Sequence, residues 1–309
     1  MPTTRHFFLC LSVAAILSCP ADLQAQWTDA ICGTEGSKYI CVGINRHKGG
    51  AITALYTDWS PTANLVDNGP SNNDNGRQVQ AAIYRQGEPY PQNCWPCNPG
   101  CFWGWNPVQA GSCSPSLTSG FYNLQKTPTT IFIQTQPRHW DTQLGQSAFY
   151  IGTFGTYYEI VSSKTLRITY QLWNAEAVST GNAPHELPVV YLEPSLQTAK
   201  SYTGSMPFAY APVTTIAVPP NSAVLVTPTE RWTGWFNSSS KGVALYAPQP
   251  PYPEDWKMGR ITAHSAPTHY MQNWAFFNLQ PSTPYSRTVY LIVGTTEEIR
   301  DVVYDLEGY

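Results

Sequence analysis

An antiparallel two-sheet β-sandwich is the fold class that this 309-residue sequence predicts, and three observations carry it. Short runs of alternating apolar and polar residues, rich in β-branched and aromatic types, recur along the chain between Gly, Pro, Asn and Ser turn signals. Proline occurs 27 times, which a mostly helical chain does not tolerate. More than a dozen such runs follow one another with no linker between them, and burying that many half-apolar strands takes two stacked sheets.

In chain order the predicted strands begin with 39–45 "YICVGIN", 50–57 "GAITALYT", 79–84 "VQAAIY" and 130–134 "TIFIQ". They continue with 155–161 "GTYYEIV", 165–173 "TLRITYQLW", 187–192 "LPVVYL", 213–218 "VTTIAV" and 222–227 "SAVLVT". The last group is 242–247 "GVALYA", 260–264 "RITAH", 274–279 "WAFFNL" and 287–294 "RTVYLIVG". "WTGWFNSSSKGVALYAP" reads as a hairpin with a polar tip and core tryptophans at 232 and 235. One helix is predicted, "TTEEIRDVVYDL", capped by Thr295 or Thr296 with Glu297 and Glu298 at its positive end. Long loops are expected at 59–78, 86–128 and 176–186, where long connections in a compact β domain usually serve function.

The first 25 residues have a basic start, the apolar stretch "FFLCLSVAAIL" and a polar end "DLQA", the layout of a secretory signal peptide. That apolar stretch is too short to span a bilayer, and no later stretch is apolar enough to be a membrane helix. Export to a secreted or periplasmic location is therefore expected, with 26–309 forming one domain. The net charge of −3, with only 12% charged residues and no Lys/Arg cluster, excludes a nucleic-acid binder. Amides, hydroxyls, 11 Trp and 19 Tyr replace charge, a composition that suits sugars: aromatic faces meet ring CH groups and neutral polar groups meet hydroxyls. A monomer needing no cofactor or metal and acting on a polysaccharide or oligosaccharide is expected.

Outside the leader stand six cysteines, an even number that in an exported protein predicts three disulfides. Cys32 with Cys41 would close a small N-terminal loop, leaving Cys94, Cys97, Cys101 and Cys113 to pair among themselves. The spacing of the last group also resembles a zinc site, but oxidising surroundings and the intervening prolines favour disulfides.

Four polar stretches are the candidate sites. In "VDNGPSNNDNGRQVQAAIY" (66–84), Asp74 and Arg77 at the entry to a strand can hold each other and present a fork to a hydroxyl or a carboxylate. In "GWNPVQAGS" (104–112), Trp105 offers a stacking face while Asn106 and Gln109 offer amides. "QTQPRHWDTQ" (134–143) sets His139 between Arg138, Trp140 and Asp141, where charges of both signs can tune an acid–base histidine and Trp140 can bind. "NAPHELPVVYLEP" (182–194) places Glu186 before a buried strand, where desolvation raises a carboxyl pKa, with His185 and Tyr191 beside it as substrate-binding candidates. Each stretch also reads as an ordinary turn. Asp74 and Glu186 are the expected carboxyl pair of a glycoside hydrolase, with His139 a further acid–base candidate. A lyase would instead use Arg77 and Asn106 as neutralisers and His139 or Tyr191 as base. A non-catalytic sugar-binding protein is the alternative, and an exported structural β protein a third.

Two stretches, "VGINRHKGGAITALYT" and "TLRITYQLWN", resemble the strands of the galactose-mutarotase-like supersandwich proteins. That resemblance implies a large supersandwich and a carbohydrate ligand. It supplies no epimerase role, because neither "RHW" nor "PHEL" matches the histidine motif of the epimerases.

Overall fold

The computed structural model describes residues 27–67, 78–87, 103–108, 119–139, 151–249, 252–262 and 267–309. The first half of the chain contributes β1 (Asp29–Glu35), β2 (Lys38–Asn45), β3 (Ala51–Thr57), β4 (Val79–Arg85), β5 (Trp103–Val108), β6 (Gly120–Lys126), β7 (Thr130–Gln136) and β8 (Arg138–His139). Next come β9 (Gly152–Ser162), β10 (Thr165–Asn174), β11 (Ala183–Leu192), β12 (Thr198–Ser201), β13 (Thr214–Ile216) and β14 (Ser222–Val226). The chain ends with β15 (Trp232–Phe236), β16 (Lys241–Tyr246), β17 (Glu254–Ile261), β18 (Thr268–Phe277), β19 (Pro284–Thr295) and the helix α1 (Thr296–Glu307).

These strands make two antiparallel sheets. The ten-stranded sheet runs β1-β2-β3-β4-β11-β18-β17-β14, with β5 joined to β4 and β8 to β5. The nine-stranded sheet runs β13-β12-β15-β16-β19-β10-β9-β7-β6. Strand alternation explains the packing: Ile52, Ile83, Val190, Met258 and Met271 from one sheet meet Ile133, Tyr158, Ile168 and Leu291 from the other in one apolar core. Trp235 reaches across from β15, its ring stacked 4.4 Å from that of His269.

Two ion pairs are buried within this packing. Arg287 from β19 bonds Glu254 of β17 between the sheets at 3.0 Å. Arg300 of α1 bonds Glu230 at 2.6 Å beneath the helix. The helix begins with a reciprocal capping box between Thr295 and Glu298, as its sequence predicts. It packs through Ile299, Val303 and Tyr304 on the outer face of β15 and β16. The β15–β16 hairpin is present, and Trp232 and Trp235 are both fully buried. Cys32 and Cys41 stand opposite each other on β1 and β2 and form a disulfide; Cys94, Cys97, Cys101 and Cys113 lie outside the described residues.

Several boundaries differ from the sequence expectation, three of them for a reason visible in the chain. The expected loop 86–128 contains β5 and β6; Gly104 and Pro107 hide β5, which is a short strand outside the main path of the sheet, where proline is tolerated. Residues 183–186, expected as a loop, are the first part of β11, which carries a bulge between Glu186 and Val189. The strand expected at 260–264 lies at Glu254–Ile261, because its alternation starts at Trp256 and Met258, not at Ile261.

Candidate functional site

The outer face of the ten-stranded sheet carries a polar and aromatic cluster that follows from strand registers. Across β4, β11, β18 and β17 one rung reads Ala82, Glu186, Trp274, Asp255. The next reads Gln80, Val189, Gln272, Lys257. A third sets Tyr191 beside Tyr270, their rings 5.5 Å apart, with Gly259 opposite Tyr270. A Cβ on Gly259 would fall 2.0 Å from the Tyr270 ring, so the missing side chain is what lets that ring lie across β17.

Glu186 is the centre of the cluster. Gln272 donates its amide to Glu186 Oε1 at 2.5 Å, and the Tyr84 hydroxyl hydrogen-bonds the same carboxyl. Burial raises the Glu186 pKa above the ordinary carboxyl value, and the bonds from Gln272 and Tyr84 and the charge of Lys257 only partly offset it. Burial likewise raises the Tyr84 phenol, with Glu186 adding to the shift. Lys257 is lowered by burial against the pull of Asp255 and Glu186, and its Nζ sits 3.2 Å from the centre of the Trp274 ring. The arrangement is a half-desolvated carboxyl with a built-in proton affinity, flanked by an amide, phenols, an indole and a second carboxylate. Such a set can hold hydroxyls and move a proton.

Beyond β11 lies a second carboxyl pair. Glu193 is raised to about 7 by burial and by the neighbouring charge of Asp67. The Asp67 N–H donates to Tyr191 O at 3.2 Å, and the Tyr191 N–H donates to Gln78 O at 3.3 Å. Asp67 and Gln78 are thus both held by one residue of the site strand.

The chain is similar in structure to a galactose mutarotase related enzyme from Lactobacillus acidophilus, at a TM-score of 0.52 and 8% identity over 87% of this chain and 98% of that one. It is similar to a candidate aldose 1-epimerase from Escherichia coli at a TM-score of 0.51 and 12% identity, over 86% and 98% of the two chains. The fold is galactose-mutarotase-like. No protein-family model matches the chain, and no curated protein matches it in sequence.

Within this mutarotase-like sandwich, described parts of all four predicted site stretches lie in adjacent strands, in the order β8, β5, β4, β11. His139 of β8 stands opposite Trp105, and Arg138 opposite Asn106. Asp74, Arg77, Gln109 and Trp140 lie outside the described residues, as do the side chains of Asn106 and His139. Glu186 and Tyr191 face the outer cluster.

Two expectations are corrected. Trp105 was expected as a stacking wall, but it is only 1% exposed and packs in the core between the sheets, with Arg85 4.6 Å from its ring. The reason is parity: Trp105 pairs with Ile83, a core residue, and directly opposed side chains share a face. His185 was expected to bind substrate, yet it is 0% exposed. Its Nδ1 accepts the Tyr84 backbone N–H at 3.1 Å and its Nε2 donates to Phe277 O at 3.0 Å. Burial lowers its pKa to about 3, so it stays neutral and serves the sheet.

Sequence reasoning missed Tyr84, Asp255, Lys257, Gln272 and Trp274. A signal was present: "YMQNWA" sets Tyr270, Gln272 and Trp274 two apart between Met271 and Ala275, and "DWKMG" does the same with Asp255 and Lys257 around Trp256. Alternation of this kind puts polar and aromatic groups on one face. Among the described residues no group of His, Cys, Asp and Glu is arranged to hold a metal ion.

Proposed function

We propose that the protein is an exported carbohydrate-active enzyme that binds a saccharide on the outer face of the ten-stranded sheet and hydrolyses a glycosidic bond there. The observation that carries this reading is Glu186, a half-buried carboxyl with a raised pKa on the same rung as Asp255. Two strand spacings put their backbones about 10 Å apart, close to the carboxyl separation of about 6.5–9.5 Å used by inverting glycosidases. Protonated Glu186 would give its proton to the leaving glycosidic oxygen. Asp255 would take a proton from the water that adds to the anomeric carbon. Gln80, Gln272, Tyr191 and Tyr270 would hold hydroxyls. The mutarotase-like fold supports the ligand class, since the similar structures include an enzyme related to galactose mutarotase.

Lys257 favours a second reading, elimination from a uronate-containing chain. Its ammonium lies within electrostatic reach of both carboxyls and would pair with a uronate. A screen of polysaccharides followed for reducing ends and for the absorbance of unsaturated uronates separates the readings. Reducing ends alone mean hydrolysis, both signals mean elimination, and neither leaves a sugar-binding protein. Glu186→Gln and Asp255→Asn should each lower turnover by about a hundredfold or more if they transfer protons. Export rests on the leader-like residues 1–25, and N-terminal sequencing of the mature protein, expected to begin at Gln26, tests it.

A further inference from the structure

Among the described residues, helix α1 packs over β15, β16 and the end of β19, and no element lies on the outer face of β7, β9, β10 and the start of β19. A groove of about 450 Å³ lies there, on the side of the sandwich opposite Glu186.

Its floor lies on a row of residues in register across five strands, Asn123, Gln134, Gly155, Gln171 and Ser286, of which the last four line it. Gly155 has ordinary negative φ, so its backbone does not call for glycine. What glycine provides is space: a Cβ there would come 3.1 Å from the Phe132 ring and stand between the two glutamines. The Phe132 ring edge lies beside that space, and Gly155 lines the groove between the two glutamines without a side chain of its own.

The amides are prepared for a neutral polar guest. Asn123 donates to Gln134 Oε1 at 3.0 Å, which fixes the Gln134 amide with its N–H groups unclaimed by the described residues. Gln171 and Ser286 are exposed. Two residues along β10 from Gln171, on the same face, stands Trp173, an indole 43% exposed at the groove wall beside Pro284. Among the described residues no Lys, Arg, Asp or Glu lines the groove.

We propose that this groove is a second saccharide-binding site, specific for a neutral oligosaccharide or polysaccharide segment. The Trp173 face takes the CH side of one sugar ring, and Gln134, Gln171 and Ser286 take its hydroxyls as donors and acceptors. The absence of charge from the lining disfavours uronates and sulfated sugars, whose charges would lose water without a partner. Such a site anchors the protein to a polymer while the opposite face works, and it stands whether or not Glu186 is catalytic.

The test uses full-length Glu186→Gln protein, so that turnover does not consume the probe. Affinity electrophoresis and calorimetry are run against soluble β-glucan, xyloglucan, galactomannan and, as the charged comparison, polygalacturonate. Retardation by at least one neutral polymer is expected, with affinity lowered about tenfold or more by Trp173→Ala and also lowered by Gln171→Ala. Both positions are exposed, so neither variant removes core packing. Binding of no neutral polymer, binding of polygalacturonate alone, or binding untouched by both variants overturns the proposal. Trp173→Ala placed in the active protein should leave turnover of a short substrate unchanged. Failure of the Glu186 chemistry would appear in turnover and not in these binding measurements.

Discussion

Gln272 donates its amide to Glu186 at 2.5 Å although the two do not stand opposite each other: Glu186 pairs with Trp274, and Gln272 pairs with Val189. The bulge in β11 makes this diagonal contact, because one extra residue between Glu186 and Val189 swings the carboxylate along the sheet toward its neighbour. A carboxyl held this way is oriented before any ligand arrives.

Glu186→Gln should make the protein more stable at neutral pH. A carboxyl whose folded pKa is raised favours folding below its unfolded value, and that advantage is lost as pH rises through the folded pKa. The amide cannot ionise and keeps an acceptor for Gln272. Urea titrations should show the variant above wild type at pH 8, the gap closing as pH falls below the ordinary carboxyl value. A gap that widens toward acid pH would contradict the burial assigned to Glu186.

His185→Phe should destabilise the sandwich by roughly 2–4 kcal/mol, because two buried backbone groups, the Tyr84 N–H and the Phe277 carbonyl, lose their partner. The folded pKa is lowered to about 3, so the histidine contributes stability above its unfolded value of 6.5 that is lost as pH falls toward 3. The variant should therefore show a shallower loss of stability over that window in denaturant titrations at several pH values. An unchanged midpoint would return His185 to the list of site residues.

Glu230→Gln should release the end of the chain. Arg300 donates to both Glu230 oxygens, at 2.6 and 3.0 Å, and the Tyr304 hydroxyl donates at 2.6 Å. Removing the charge leaves a buried guanidinium without its partner, at a cost of about 3–5 kcal/mol. Hydrogen exchange should show α1 losing protection ahead of the sheets. Replacing both partners with apolar residues should restore most of the loss.

Cys32→Ser with Cys41→Ser should lower stability by roughly 2–3 kcal/mol, as expected for opening a crosslink over a separation of nine residues. The readout is the urea midpoint of the double variant against wild type. No change would mean that the β1–β2 ladder is held by its backbone pairing alone.

The sandwich was legible in the sequence because each strand writes its own alternation: "TLRITYQLW" shows Leu166, Ile168, Tyr170 and Leu172 at every second place, and all four are buried. The capped helix was legible for the same reason, since Thr295 and Glu298 contact each other locally. Local chemistry also marked Glu186, a carboxylate placed just before a buried run. Strand neighbours were not legible. Nothing local says that β11 lies between β4 and β18, and that placement is what brings Tyr84, Gln272 and Lys257 to Glu186. Parity was equally hidden for Trp105 and His185, whose polar flanks suggested a surface. Which of two faces a strand residue occupies depends on the register of its partners, and here both point inward. The sequence by itself determined the class of fold, the helix cap and the Cys32–Cys41 pair. Only the tertiary structure decided which polar residues share a face, because a site made of neighbouring strands is assembled by hydrogen-bond register across long loops, and register is a property of the folded sheet.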